Sequence, residues 1–458
     1  MSGSGRWRRV AGAGIAGLVI AAALAACSSS GSSASSSASG GKSLAGQTIT
    51  VWAANDPFMT PLAPLVKKFE AQTGATVHFN ILGNETAYYA KLQLGLASHS
   101  GPDIWFGPTP LIGQYASLGA VPLKSFLSNS QQTPASWDYS DFPQNVTAQC
   151  GLNGNTYCLP VESDTTMLYY NKAQFKAAGI SGPPQSINEL VADAAKLNTP
   201  QHAGFCMRAT VDQSNYFTGQ MMLLYFLNYN SGNQGTFLDP NWKPQLTTPQ
   251  AISFANTFKK LEVQYGPKGI SGYGYQECET DLNQGKVSMF WETDAFASAV
   301  NNPAISNQAN NIGYAVIPCP PSSAGHCTMG SPWGIYLNKT SKVQPAAWQL
   351  MQFLTSQSSE KAVVATGQAT VALRKSVSST AFTGSNPLLP QAMGTAISYG
   401  LAHLDPHPFP PLPNLIQLLT PFGQALSDII SGQASVNGAM NQANNQATQV
   451  LQKAGELH

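Results

Sequence analysis

Six cysteines, Cys150, Cys158, Cys206, Cys278, Cys319 and Cys327, are spaced in a way that implies chemistry. Cys150 and Cys158 flank seven residues containing Asn153-Gly154, a dipeptide that favours a two-residue hairpin turn and lets side chains meet across paired strands. Cys319 and Cys327 also flank seven residues, with Pro320-Pro321 and Gly325 between them. A disulfide in each loop leaves Cys206–Cys278 by elimination. Metal binding is the poorer alternative, because no C-x-x-C occurs and only His326 adjoins a cysteine. Glu277, Glu279 and Asp281 crowd around Cys278, which suits a solvated loop better than a calcium or acid–base site. No nucleophile elbow, zinc-protease motif, phosphate loop or dinucleotide fingerprint occurs, and the seven histidines are scattered. The sequence calls for no cofactor.

Disulfides require an oxidising compartment, and the first residues point to one. Arg6, Arg8 and Arg9 precede an uncharged run from Val10 to Ala26 that is short and weakly apolar for a membrane span. It ends in Leu24-Ala25-Ala26-Cys27, similar to a bacterial lipobox. Residues 1–26 are thus expected to be a lipoprotein signal peptide and Cys27 the lipidated residue. Arg8-Arg9 also suits twin-arginine export, so the route stays open. Ser28 to Ser43 is almost all Ser, Gly and Ala, a flexible tether, and residues 27–46 are read as anchor and tether. Removing 1–26 takes away three Arg and no acid, moving the net charge from +1 to −2.

Charged residues are only 10% of the 458-residue chain, against a hydrophobic share of 43%. Normal apolar content with little charge argues against disorder, and the near-zero balance argues against nucleic acid. The length suits two domains or one bilobal unit.

Thr48 to Trp52 is β-branched and aromatic, a strand. Leu62, Leu65, Val66 and Phe69 mark one face of a helix that Gly74 ends. Ala75–Leu82 reads as a second strand, Tyr89, Leu92 and Leu96 as a helix stripe, and Ile104-Trp105-Phe106 as a buried strand. This βαβαβ order implies a mainly parallel sheet with helices on both faces and ligands at the carboxyl ends of its strands. Further helices are expected at 186–197 (Ser186 and Glu189 as a capping box), 216–229, 248–261, 346–354 and 437–451, and a strand at 287–291. The five prolines of 405–413 dictate an extended segment.

Six short segments, in order, resemble the maltose-binding-protein-like extracellular solute-binding proteins of carbohydrate ABC importers. They are Val51 to Asp56, Gly101-Pro102-Asp103-Ile104-Trp105-Phe106, Leu118 to Leu123, Gly154 to Pro160 followed by Tyr169-Tyr170-Asn171-Lys172, Gly285 to Phe290, and Ser331-Pro332-Trp333-Gly334. The resemblance implies a two-lobed α/β periplasmic-binding-protein fold, each lobe a mainly parallel sheet flanked by helices, with the ligand clamped between them. By that analogy lobe 1 is 47–161 with 319–366, and lobe 2 is 162–318 with 367–458. Each expected disulfide then lies within one lobe.

The same resemblance implies the ligand contacts. Asp56, beside Asn55, ends the first strand where the family places an acid that takes sugar hydroxyls; both also suit capping of the next turn. Asp164 follows the hinge where relatives carry an acidic ligand residue. Tyr216, with Phe217 and Thr218, matches an aromatic segment facing the cleft, with a buried core helix as the alternative. Trp333 coincides with a stacking tryptophan. Trp291, Glu292 and Asp294 follow a strand where relatives place an aromatic near the sugar. Trp52 and Trp105 read as core, and Asp103 as a turn residue. After Phe106 the chain has Gly107-Pro108-Thr109-Pro110 where maltose-type relatives keep a Trp and an acid, so maltose is a poor fit. His407 and Phe409 are candidate replacements.

The sequence therefore reads as a monomeric, lipid-anchored, non-enzymatic receptor on the outer face of the cytoplasmic membrane. It would close around a small carbohydrate, a di- or oligosaccharide, and hand it to ABC permease subunits. A glycoside hydrolase using two of Asp56, Asp164, Glu292 and Asp294 is the alternative class. A receptor for glycerol phosphodiesters is a third, and would want cationic contacts to phosphate.

Overall fold

The computed structural model describes residues 43–457, except 84, 163–164, 212–213, 228–234, 319–327, 329, 331, 367–372, 378–393, 395 and 397–408. The leader, Cys27, Asp164, His407 and the Cys319–Cys327 pair lie outside the described residues.

Strand β1 (Thr48–Ala53) runs parallel to β2 (Thr76–Ile81) on one side and β3 (Ile104–Pro108) on the other. Its alternation buries Ile49, Val51 and Ala53 together, the period-two pattern of a half-covered strand. The helix Leu62–Thr73 buries Leu62, Leu65, Val66 and Phe69. It stops at Gly74, whose φ of 76° lets its N–H turn back to the Glu70 carbonyl. The hairpin of β4 (Gly151–Leu152) and β5 (Asn155–Thr156) turns through Asn153 and Gly154 at φ 50° and 74°, both left-handed as a primed turn demands. The Cys150–Cys158 disulfide closes this loop with Cα atoms 5.1 Å apart. From there β6 (Cys158–Glu162) joins the edge of the first sheet.

In the second sheet β7 (Thr166–Asn171) lies between β8 (Met289–Thr293) and β9 (Ile312–Val316), antiparallel to both. Strand β10 (Trp333–Leu337) then returns to the first sheet, antiparallel to β3 and β6, giving the order β2-β1-β3-β10-β6. The expectation of mainly parallel sheets thus holds for β1–β3 alone. Elsewhere among the described residues, parallel pairing is confined to single bridges at Ala203–Val287 and Cys206–Phe290. Strands β8, β9 and β10 enter their sheets running opposite to their neighbours, without the single strand–helix–strand crossover that sets neighbours parallel. Two crossings meet at an antiparallel bridge between Thr165 and Gly330.

Around the second sheet, Ser186 caps the helix Ile187–Leu197 by accepting the Glu189 N–H, while the Glu189 carboxylate takes the Gln185 N–H. The Cys206–Cys278 disulfide ties the segment beside β8 to the helix Tyr275–Asn283. A helix not expected from the sequence, Leu415–Ser431, packs on Val436–Ala454 and on Asn215–Phe226. Gly219 permits that approach, since a Cβ there would meet Leu426 Cδ1 at 2.5 Å. Asn215 completes the joint by donating to the carbonyls of Ala209 and Gly423 at 2.8 and 2.9 Å.

Candidate functional site

A cleft with about 530 Å³ of empty space, part of it open to solvent, lies between the ends of the two sheets. One wall comes from the first sheet's elements. Glu85 and Tyr89 extend from the first turns of the helix Glu85–Ala97, Pro108 from the last residue of β3, Pro110 from the turn after it, and Trp333 from the first residue of β10. Trp333 is held edge-on by Phe58 with ring centroids 5.3 Å apart, and tilts against Tyr89 at 6.4 Å. The other wall is Arg208, Tyr216 and Phe217, backed by Phe409 and the start of the helix Leu415–Ser431. Phe217 and Phe409 stack at 5.5 Å and 13°. The Tyr216 hydroxyl accepts from Ser214 at 3.3 Å.

Charge in the cleft converges from both sides. Burial pushes the Asp56 carboxyl up to about 7, reinforced by the negative Glu85, while the Phe58 N–H and Arg208 pull the other way. Glu85 is likewise raised by burial, with Arg208 opposing and Glu292 adding to it. The Arg208 guanidinium is almost fully buried, which alone would favour losing its proton. It instead stays charged, because Glu292 grips it through two hydrogen bonds: Nε donates to Oε2 at 2.6 Å and Nη2 to Oε1 at 3.0 Å. Its carbon also lies 4.8 Å from the Tyr275 ring centroid, a cation–π contact.

The structure sorts the sequence candidates. Tyr216 and Trp333 line the cleft, whereas Asp56 is not one of its lining residues and is linked to it through the charges of Glu85 and Arg208. Asn55 is exposed at the turn, its N–H bonded to the Gly83 carbonyl. Trp291, Glu292 and Asp294 do not line the cleft: all three are fully buried at the end of β8 and just beyond. Trp291 packs in the core, since β8 is covered on both faces and its side chains are buried whichever face they point to. Glu292 is spent on Arg208 and on the Thr293 N–H. Asp294 accepts the Thr165 N–H and donates its own N–H to the Thr165 carbonyl, pinning the crossing strand. Trp105 is core as expected, but Trp52 is half-buried, with Lys91 over its ring at 5.3 Å. Asp103 locks its turn by accepting from Thr50 and Ser341.

Glu85, Tyr89 and Arg208 escaped the sequence reading. Two signals pointed to them. Glu85 follows the carboxyl end of a strand, where such sheets bind ligands. Arg208 is a lone charge after the apolar run Phe205-Cys206-Met207 in a chain poor in charge.

The cleft thus offers carboxyl acceptors, a guanidinium donor and apolar ring faces, the three contacts that polyhydroxylated molecules need. A pair of catalytic carboxyls does not emerge from Glu292 and Asp294, because both are internally engaged.

A family model described as bacterial extracellular solute-binding protein matches residues 55–361. An erythritol/L-threitol-binding protein of Mycolicibacterium smegmatis is 24% identical over 74% of this chain and 73% of its own length. A mannitol-binding protein of Pseudomonas aeruginosa is 26% identical over 89% of this chain and 94% of its own. The solved structure of an ABC transporter solute-binding protein from Agrobacterium radiobacter K84, in complex with ribitol, superposes with a TM-score of 0.79. It is 23% identical and covers 89% of this chain and 100% of that one.

Proposed function

Because the chain belongs to the bacterial extracellular solute-binding proteins, we propose that it captures a small neutral polyol or monosaccharide outside the cytoplasm and delivers it to the permease of an ABC importer. Members of this family bind without catalysis, and the two-lobed fold is theirs. The observation that carries the reading is the cleft itself: Glu85 and Arg208 as hydroxyl partners between the Trp333–Tyr89 and Phe217–Phe409 ring pairs. We prefer a short ligand to the di- or oligosaccharide suggested by sequence. The erythritol/L-threitol and mannitol named for two relatives support the same choice.

Ligand contacts come from both lobes, so binding favours the closed arrangement by the contacts that exist only there. The lipobox-like Leu24-Ala25-Ala26-Cys27 supports anchoring through Cys27 to the outer face of the membrane. A ligand that binds only the native state raises its melting temperature. A thermal-shift screen of erythritol, ribitol, mannitol and maltose is expected to show shifts for the alditols, with the ligand recovered unchanged. A shift from maltose alone would restore the longer ligand, and a cleaved ligand would hand the site to the hydrolase. Scattering should record a smaller radius of gyration at saturation; an unaltered one counts against the clamp.

A further inference from the structure

The cation at the cleft is cancelled from behind. Arg208 lines the cavity, yet its Nε and Nη2 are committed to the two oxygens of Glu292, a residue with no exposed surface, while Tyr275 covers its face. A guanidinium facing a sugar site would ordinarily draw carboxylates and phosphates, which match its fork. Here the positive charge has a full counter-charge at hydrogen-bond distance.

We propose that Glu292 is a specificity-determining residue that never touches the ligand: by neutralising Arg208 it makes the cleft select neutral polyols and reject the corresponding sugar acids. This rests on the polyol reading above. Arg208 then serves as a held, oriented donor to hydroxyls rather than as an anion trap. The physics is a short-range balance in a poorly solvated place, where one uncompensated charge outweighs several hydrogen bonds.

The experiment compares three probes of one length by calorimetry: mannitol, mannonate and 1-amino-1-deoxymannitol. The wild type is expected to bind mannitol and to reject mannonate. Glu292→Gln keeps the side chain's shape and a hydrogen-bonding oxygen while removing the counter-charge. It should raise the mannonate-to-mannitol affinity ratio about tenfold or more. Arg208→Gln leaves Glu292 uncompensated and should move selectivity the opposite way, raising the amine-to-mannitol ratio by a similar factor. A purely structural role for Glu292 would weaken all three probes together and leave both ratios unmoved, which overturns the proposal. Should Glu292→Gln fail to fold, the Arg208→Gln ratio decides alone. A wild type that takes mannonate as readily as mannitol also overturns it, with the polyol reading intact. A wild type that binds no polyol overturns that reading and this one with it.

Discussion

Two buried arginines, Arg208 and Arg374, occupy opposite kinds of region. Both guanidinium groups lie on aromatic rings, Arg208 over Tyr275 at 4.8 Å and Arg374 over Phe142 at 4.2 Å. Arg208 meets one carboxylate squarely, and its proton is held more tightly than usual although burial alone would loosen it. Arg374 is 1% exposed and relies on carbonyls: Nε donates to Thr355 O and Nη1 to Asp138 O, each at 2.8 Å, with Asp141 at a looser 3.4 Å. Burial holds its proton less tightly than usual, with Asp141 and Glu360 only partly offsetting. It bolts residues 373–377 onto 138–142, a task of packing and backbone satisfaction, and it is not part of the cleft's lining. The difference teaches that a buried cation is a site residue only when it borders a cavity; burial and pairing alone mark either kind.

The comparison is broken most directly at the structural end. Arg374→Ala should cost about 3–5 kcal/mol of stability in urea unfolding, because it strips partners from Asp141 and two buried carbonyls. Ligand affinity of the folded fraction should stay within about threefold, within the few tenths of a kcal/mol by which distant sites couple; a large affinity loss would merge the two roles. At the cleft, Arg208→Ala should weaken polyol binding by about 1.5–3 kcal/mol, the worth of a charged hydrogen bond, in calorimetry. Unlike Arg374, it should recover stability when Glu292 is also made Gln, since the destabilising element is the orphaned carboxylate. Trp333→Ala should cost about 0.5–1.5 kcal/mol of affinity from the lost ring face, less than Arg208; an equal or larger loss would shift the weight of recognition to stacking.

The last effect is a pH slope. Asp56 titrates at about 7 in the fold against an ordinary 3.8, so the folded state holds that proton longer than the unfolded one. Stability from this group is therefore greatest below pH 4, declines between 4 and 7, and is flat above. Ligand-free Asp56→Asn should gain on the wild type in melting temperature between pH 5 and pH 8. A gap that stays constant would mean that the carboxyl is not held neutral by its surroundings.

Sequence alone determined what local chemistry determines. The periodicity of Leu62, Leu65, Val66 and Phe69 together with Gly74 specifies its helix, and Asn153-Gly154 specifies a hairpin turn that brings Cys150 to Cys158. The β1–β3 order follows from alternating strand and helix patterns. The helix Leu415–Ser431 was hidden by Pro421 within it and by the prolines before it. The spacing of Leu415, Leu418, Leu419, Phe422, Leu426 and Ile429 was a local signal that those prolines masked, and tertiary structure supplied the helix's partners, Asn215–Phe226 and Val436–Ala454. Which side chains face the cleft was decided only by tertiary structure. Glu85, Arg208 and Trp333 are 248 positions apart in chain from first to last, and meet only because the sheets stand end to end. Glu292 turned inward because Arg208, 84 residues away, offered the opposite charge that makes a buried carboxylate tolerable. Patterns of three or four residues set local conformation, but burial and charge pairing are properties of the assembled chain.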